Sequence, residues 1–522
     1  MWCQDMLRTK LLIGSLRRLY SSGASTLEYK ARNVQIQNNV SKWYPSLSHL
    51  PKTTTDISNF FKQYNGLAED DRSVKHILQG KIIGMRFSGK KIGFINLLND
   101  KHTLQLIVNF NNLNMTNEEF QTHLKQFKVG DHIQVSGFPG LSQKQKTLSL
   151  KVTEPIQILS ASQIPIPPKL EDASKRNSNK VLDYLVNGTE TLYVRHLIIK
   201  RIREWLYNRE FVEVETPIIS SKSSGANAKP FETCCTAIDK DETAELRIAP
   251  ELWLKRLCIG GMNRIFEIGK VFRNEGIDAT HNPEFTTLEF YQCYTDMEQL
   301  IEMSESLVKY VCEGIDTPKS KELLQHLEKN EWKFKRLEFL PTLYTQTNID
   351  FSTIDLNDAD GIKNLLLKHD IHIPSNCQST QQILNELCAR YVESQCDTLL
   401  PTVIYHHPTI LSPLAKSDPE HPQVTKRFEI FIKGKEYINA YEEENCPDLQ
   451  LKKFAQQSEA RDKFNDAEMM GIDLPYVQAM KYGMPPIGGF GLGIDRLCML
   501  LTDSQRIEQV LSFGTLDDVN RQ

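Results

Sequence analysis

At 522 residues the chain is long enough for several domains, a domain commonly taking about 150 residues. Its 40% apolar and 25% charged residues are ordinary for a globular protein, and no stretch approaches the ~20 apolar residues that cross a bilayer. A net charge of −4 excludes a global field for a polyanion, so nucleic-acid contact must rest on local patches; eleven cysteines without a C-x₂-C spacing exclude a thiolate zinc site and predict reduced thiols.

Residues 1–25 set Arg8, Lys10, Arg17 and Arg18 against Asp5 alone, with Leu7, Leu11, Leu12, Leu16 and Leu19 at helical spacing and serines following. That composition predicts a mitochondrial transit peptide and a matrix protein, rather than a mere frayed helix. Residues 26–72 are a polar, partly helical extension with a short helix near Ile57–Tyr64. From 73 to 160 short apolar runs, "HILQGKIIGMRF", "KIGFINLLN", "TLQLIVNF", "DHIQVSGFP" and "TLSLKVTEPIQIL", predict five strands, and "NEEFQTHLKQF" predicts a helix between the third and fourth. That order is the order of an OB-fold β-barrel, a fold that stacks single-stranded bases on aromatics, although strand counting alone equally fits a generic small β domain.

Residues 161–189 are proline-rich and polar and read as a linker. A long amphipathic helix follows, with Leu197, Ile198, Ile202 and Trp205 on one stripe, then a strand over Phe211–Glu215 stopped by Pro217. Further strand-like runs, without regular βαβ alternation, surround a mainly helical insertion around 300–398. Residues 190–522 therefore predict an α+β domain on an antiparallel sheet flanked by helices.

The densest chemistry is "FRNEGIDATHNPEFTTLEFYQC", residues 272–293. Strand alternation turns Leu288 and Phe290 to a core and Phe285, Glu289 and Tyr291 together to the other face, with Arg273 and Glu275 ending the strand before. A glutamate in such a row needs a cation, either a protein arginine or a ligand. "RFEIFIKGKEYINAYEE" is a second acidic site: a two-residue turn at Lys433–Gly434 sets Glu436 opposite Phe431, with Glu429 on the same face. The residues Asn439, Tyr441 and Glu443 share one face of the same run. Glu436 and Asn439 are three residues apart, so bringing them to one face requires a β-bulge or twist between them.

"FVEVETPII", "FRNEG…HNPEFTTLEFY" and "GFGLGIDRLCMLL" resemble, in this order, the three motifs of the class II aminoacyl-tRNA synthetases, and "LRIAPELWLKRL", "SPLAKS" and "RFEIFIKGKEYINAYEE" resemble the lysyl-tRNA synthetases among them, in mitochondrial and fungal style. The resemblance spans about residues 74 to 515. It implies an enzyme that makes lysyl-adenylate from lysine and ATP with Mg²⁺ and passes lysine to the 3′ end of tRNA(Lys), as a homodimer without membrane contact. It further implies that Arg273 clamps the α-phosphate and Arg496 the γ-phosphate, Arg496 lying in a helix capped by Asp495; that Phe285 stacks on adenine, Glu275 reads its edge and His281 lies near the polyphosphate; and that Gly493 and its neighbours let ATP approach. Glu429 and Glu436 would hold Mg²⁺, a hard cation that takes oxygen ligands. Glu289, Tyr291 and Glu443 would meet the lysine ε-ammonium beside Asn439 and Tyr441, with Glu251 and Gly225 at the α-amino end. Phe94 and Gln105 would read the anticodon, where Thr147 stands in place of the family's usual glutamate.

Two other classes of function compete. A binding paralogue without catalysis would have lost Arg273, Arg496 or the Glu429/Glu436 pair, and all four are present. An aspartate- or asparagine-specific relative would need cationic side-chain contacts where Glu289 and Glu443 stand.

Overall fold

A computed structural model of the protein describes residues 23–221, 225–234, 243–464 and 471–521; the expected transit peptide, up to residue 22, lies outside the described residues. The chain divides into two compact units, 1–170 and 171–522.

In the first unit, strands β1 (His76–Ser88), β2 (Ile92–Asn99), β3 (His102–Asn109), β4 (His132–Leu141) and β5 (Leu148–Val152) close a barrel in the circuit β1-β2-β3-β5-β4-β1. Only β3 and β5 run parallel. Alternation drives the closure: Leu78, Ile82, Ile95, Leu97, Leu104 and Leu106 point inward and are wholly buried or nearly so. A helix, Asn117–Lys125, bridges β3 and β4 and starts on a reciprocal capping box of Thr116 and Glu119. This is the expected OB-type barrel with two local differences. The fifth run breaks at Pro155, which has no N–H for the ladder, into β5 and a separate β6 (Gln157–Ser160) on the far side of β4. The extension carries a 16-residue helix, Gly23–Asn38, whose Arg32 donates to the fully buried Asp131 at 2.7 Å.

The second unit holds strands β7 (Val212–Glu213), β11 (Arg264–Phe272), β12 (Glu284–Cys293), β13 (Lys335–Glu338), β14 (Thr402–Tyr405), β15 (Arg427–Ile432), β16 (Lys435–Glu442) and β17 (Ile487–Gly493) in one sheet, ordered β13-β14-β15-β16-β17-β12-β11-β7. Its six inner strands are antiparallel, and both edges are parallel. A small second sheet joins β8 (Ile219–Ser220), β10 (Thr243–Leu246) and β9 (Glu232–Cys234). One face of the large sheet buries Leu288, Phe290, Phe428, Ile430, Ala440 and Phe490 against the helices Glu190–Tyr207, Met297–Glu313 and Ile494–Thr502. Phe290 and Phe490 stack across β12 and β17 with ring centres 4.3 Å apart. The opposite face carries the charged residues.

Three expectations change in detail. The strand expected over Phe211–Glu215 is only Val212–Glu213, because the N–H and hydroxyl of Thr216 go to the Glu267 carboxylate instead of the ladder. On the helix Glu190–Tyr207, Ile198, Ile202 and Trp205 are buried but Leu197 is 39% exposed, and Leu206 takes its place in the core. Asp495 does not cap its helix. β17 runs into the helix without a loop, so the cap position falls on Gly493, and Asp495 sits inside the first turn, buried, accepting from Arg195 at 2.5 Å and from the Thr286 N–H at 2.8 Å.

Candidate active site

Strand register builds the site. Glu289, Gly491, Asn439 and Glu429 lie side by side across β12, β17, β16 and β15, and Tyr291, Gly489, Tyr441 and Arg427 form the next row. The glycines in the middle keep the floor low. A Cβ on Gly489 would stand 2.8 Å from Tyr291 Cε1 and would strike Glu443 Oε1, so only glycine fits beside that carboxylate. At the end of the β15–β16 hairpin Lys433 and Gly434 both take positive φ, 53° and 71°, and Glu436 pairs with Phe431. The register then skips Tyr437, so that Ile438 pairs with Ile430 and Asn439 with Glu429. That is the bulge the three-residue spacing requires.

Over this floor opens a cleft of ≈ 480 Å³. Gly225, Glu251, Glu289, Tyr291, Asn439 and Tyr441 line it toward one end, and Arg273, Glu275, His281, Phe285, Glu429 and Glu436, with Gly493 and Arg496, line the rest. Glu443 is in contact with the site but is not part of the wall; it lies 1% exposed beneath Gly489. Phe94 and Gln105 belong to the barrel. Both are half-buried on its outer surface, with the Arg86 guanidinium 4.2 Å from the Phe94 ring centre and Ser149 Oγ donating to Gln105 Oε1 at 3.3 Å.

In the acidic end, Tyr291 donates to Glu289 at 3.0 Å and Tyr441 to Glu251 at 2.7 Å. Burial, and then the charge of Glu251, push the Glu289 carboxyl up to about 8. Glu443 has a partner that the sequence did not announce: its carboxylate is ion-paired with Lys255, which also donates to Glu251 at 2.5 Å. Burial opposes the Lys255 charge, yet Glu251 and Glu443 hold its proton well above the ordinary lysine range. Burial, opposed by Lys255, still pushes Glu443 upward. The sequence reading missed Lys255, although its i,i+4 spacing from Glu251 on the helix Glu251–Ile259 was a signal.

In the basic end, Arg496 donates to the Glu436 carbonyl at 2.7 Å and to His281 Nε2 at 2.8 Å. A guanidinium only donates, so Nε2 accepts and Nδ1–H faces Asp278 Oδ2 at 2.8 Å. Arg273 stands 5.2 Å from the Phe285 ring centre. Glu275 is exposed at the mouth. Arg427, also missed, aims its guanidinium at Glu429, Asn439 (3.1 Å) and the Leu411 carbonyl (2.9 Å) and so orients two predicted site residues at once. Its place two residues before Glu429 was legible by alternation. Burial would raise Glu429, but Arg427 and then His407 hold it at about 2. Burial and the Glu429 charge instead raise Glu436 to about 7, against Arg496.

Such a cleft, anionic at one end and rich in guanidinium at the other, can take a molecule with ammonium groups beside a polyphosphate. The family model described as tRNA synthetases class II (D, K and N) matches residues 172–517. A mitochondrial lysine–tRNA ligase of Saccharomyces cerevisiae is 48% identical over 95% of this chain and 94% of its own. One from Schizosaccharomyces pombe is 38% identical over 91% and 90%, and the lysine–tRNA ligase of Lactococcus lactis subsp. cremoris 35% identical over 94% and 98%. With the motifs, the sheet and the cleft all in agreement, the chain belongs to the class II tRNA synthetases, in the group that includes the lysine–tRNA ligases.

Proposed function

We propose that the protein is a lysine–tRNA ligase that activates L-lysine with ATP and transfers it to tRNA(Lys) in the mitochondrial matrix. The observation that carries this reading is the pair Glu251 and Glu289 on the wall of the cleft, with Glu443 buried beneath it and Lys255 paired to Glu251 and Glu443, at one end of a cleft whose other end holds Arg273 and Arg496. An apolar analogue of lysine would leave those buried carboxylates unmatched, which costs several kcal/mol. The basic, leucine-rich N-terminus and the mitochondrial relatives support the location.

The lysine carboxylate attacks the α-phosphorus of ATP, pyrophosphate leaves, and lysyl-adenylate remains. A hydroxyl at the 3′ end of tRNA then attacks the lysyl carbonyl and AMP leaves. Arg273 grips the α-phosphate with a planar fork suited to the crowded transition state. Arg496, oriented by His281 and the Glu436 carbonyl, takes the γ-phosphate. Phe285 stacks on adenine, Glu275 reads its edge, and Gly493 leaves room for the nucleotide. Glu289, Tyr291 and Glu443 meet the ε-ammonium beside Asn439 and Tyr441, and Glu251 with Gly225 receives the α-amino group.

Glu429 and Glu436 fit Mg²⁺: two carboxylates share the cleft, burial and then the Glu429 charge raise Glu436, and among the described residues no third carboxylate, cysteine or histidine completes a protein-only cage. When bound, the ion neutralises polyphosphate charge. On the barrel, Phe94 and Gln105 read the anticodon, and the exposed Thr147 with Ser149 beside Gln105 makes that reading less acidic than in the wider family. Exposed Tyr193, Val212, Ile218 and Ile219 around the first motif support a homodimer through that surface.

The test is ATP–pyrophosphate exchange with a panel of amino acids. Lysine alone is expected to drive it, and Arg273→Ala to lower kcat by about a hundredfold or more. Exchange driven by aspartate, or undiminished in the variant, sinks the reading.

A further inference from the structure

Lys255 lies beneath the acidic end of the cleft, paired with its carboxylates, and is wholly buried, 0% exposed. Its ammonium bridges Glu251, one helical turn back, and Glu443, just beyond β16, while the rings of Tyr441 and Tyr476 stand 5.5 Å and 6.0 Å away. Among the described residues neither carboxylate oxygen of Glu443 has a hydrogen-bond partner beyond that ion pair. The Glu443 backbone is anchored by its N–H on the Ile487 carbonyl at 2.8 Å, which leaves Lys255 to locate the carboxylate. Resting on the reading of the cleft as a lysine site, we propose that Lys255 is a positioning residue for the amino acid: it clamps Glu443 and Glu251 in place and, once an arriving ammonium has displaced the proton of Glu289, cancels one of three negative charges, so that two remain for the two ammonium groups of lysine.

The charge count gives the clamp its consequence. Without Lys255 the pocket would gather Glu251, Glu289 and Glu443 in one buried space, and like charges so placed take up protons rather than remain ionised. Each proton taken up removes an attraction for an ammonium. The groups facing Lys255 are Glu251 and Cys258 on its own helix, Tyr441 and Glu443 at the end of β16, and Tyr476 on the helix Leu474–Met480; Glu289 and Tyr291 of β12 reach it through Glu443. Every one is acidic or neutral. The other described cation on that helix, Arg256, is paired with Asp473 at 3.0 Å, and Arg273 acts on Glu289 from the basic end.

The experiment is ATP–pyrophosphate exchange on the full chain, wild type against Lys255→Met, from about pH 6.5 to about pH 9. The lysine KM of the variant is expected to rise about tenfold or more near neutrality, with the ATP KM unmoved, and its ratio to the wild-type KM at the same pH is expected to fall as the pH rises and deprotonates the unclamped carboxylates. A purely structural lysine would not produce that fall. Wild-type lysine KM and pH profile in Lys255→Met, or equal losses for lysine and ATP at every pH, overturn the proposal. Should Lys255→Met not fold, Glu443→Gln and the double variant Lys255→Met/Glu443→Gln carry the test: equal lysine KM values support a role exercised through Glu443, and a further tenfold loss in the double variant overturns it. A wild type without lysine-dependent exchange would instead overturn the reading of the site itself.

Discussion

Glu289 shows what burial does to a single carboxyl. Held at about 8 by burial and Glu251, it carries a proton at neutral pH, and Tyr291 donates to its remaining oxygen. The folded, ligand-free protein thus binds a proton there that the unfolded chain lacks between the ordinary carboxylate range and about pH 8. Its stabilising effect is complete below that window and fades as the pH rises through it. An arriving ammonium reverses the balance by favouring the carboxylate. Lysine binding at pH 7 is expected to release up to about one proton, read by calorimetry in buffers of different ionisation enthalpy. Proton uptake, or none at all, would mean that no ammonium comes near Glu289. The carboxylates themselves were legible, because period-two spacing puts Glu289 with Tyr291 and Asn439 with Tyr441. The partner of Glu443 was not. Lys255 reaches it from a helix almost two hundred residues earlier in the chain, and no local pattern encodes that meeting.

At the scale of elements, the β15–β16 hairpin and the glycine strand β17 shape the floor. Tight-turn chemistry at Lys433–Gly434 set the register, and an odd spacing between two residues wanted on one face implied the bulge now seen at Tyr437. β17 contributes by having no side chains at positions 489, 491 and 493, in the rows of Tyr291, Glu289 and Thr287. Gly489→Ala would press a methyl group against Glu443 and Tyr291. The expected result is a lysine kcat/KM about tenfold or more lower, ATP binding little changed, and a stability cost of about 1–3 kcal/mol from overpacking, measured by exchange kinetics and thermal melting. An unaltered lysine KM would show that the glycine serves the strand and not the pocket. The helix start at Gly493 was the element read least well. Asp495 looks like a cap in sequence, but a strand that runs straight into a helix leaves the capping position to whichever residue ends the strand, and Asp495 is free to anchor Arg195 and β12.

For the whole molecule, each unit has a core of its own: Leu78, Leu97, Leu106 and Val135 fill the barrel, while Phe266, Phe290, Phe428 and Phe490 anchor the large sheet. The cleft is lined only by residues of the second unit. Residues 171–522 alone are therefore expected to sediment as a dimer and to keep lysine-dependent exchange within about tenfold of the full chain, while losing most tRNA charging, compared by velocity sedimentation and aminoacylation. Full charging without the barrel would remove Phe94 and Gln105 from recognition. Composition, periodicity and turn residues by themselves determined the run of barrel strands, the α+β sheet domain and the strand faces, since these follow from which side of a strand or helix a residue occupies, while the set of charged residues expected in the cleft came largely from the resemblance of the motifs to the class II synthetases. Only the tertiary structure decided how those charges pair: that Lys255 stands between Glu251 and Glu443, that Arg427 holds Glu429 and Asn439, and that Asp495 answers Arg195. Pairing energy depends on distance and on exclusion of water, and neither exists until distant segments pack together.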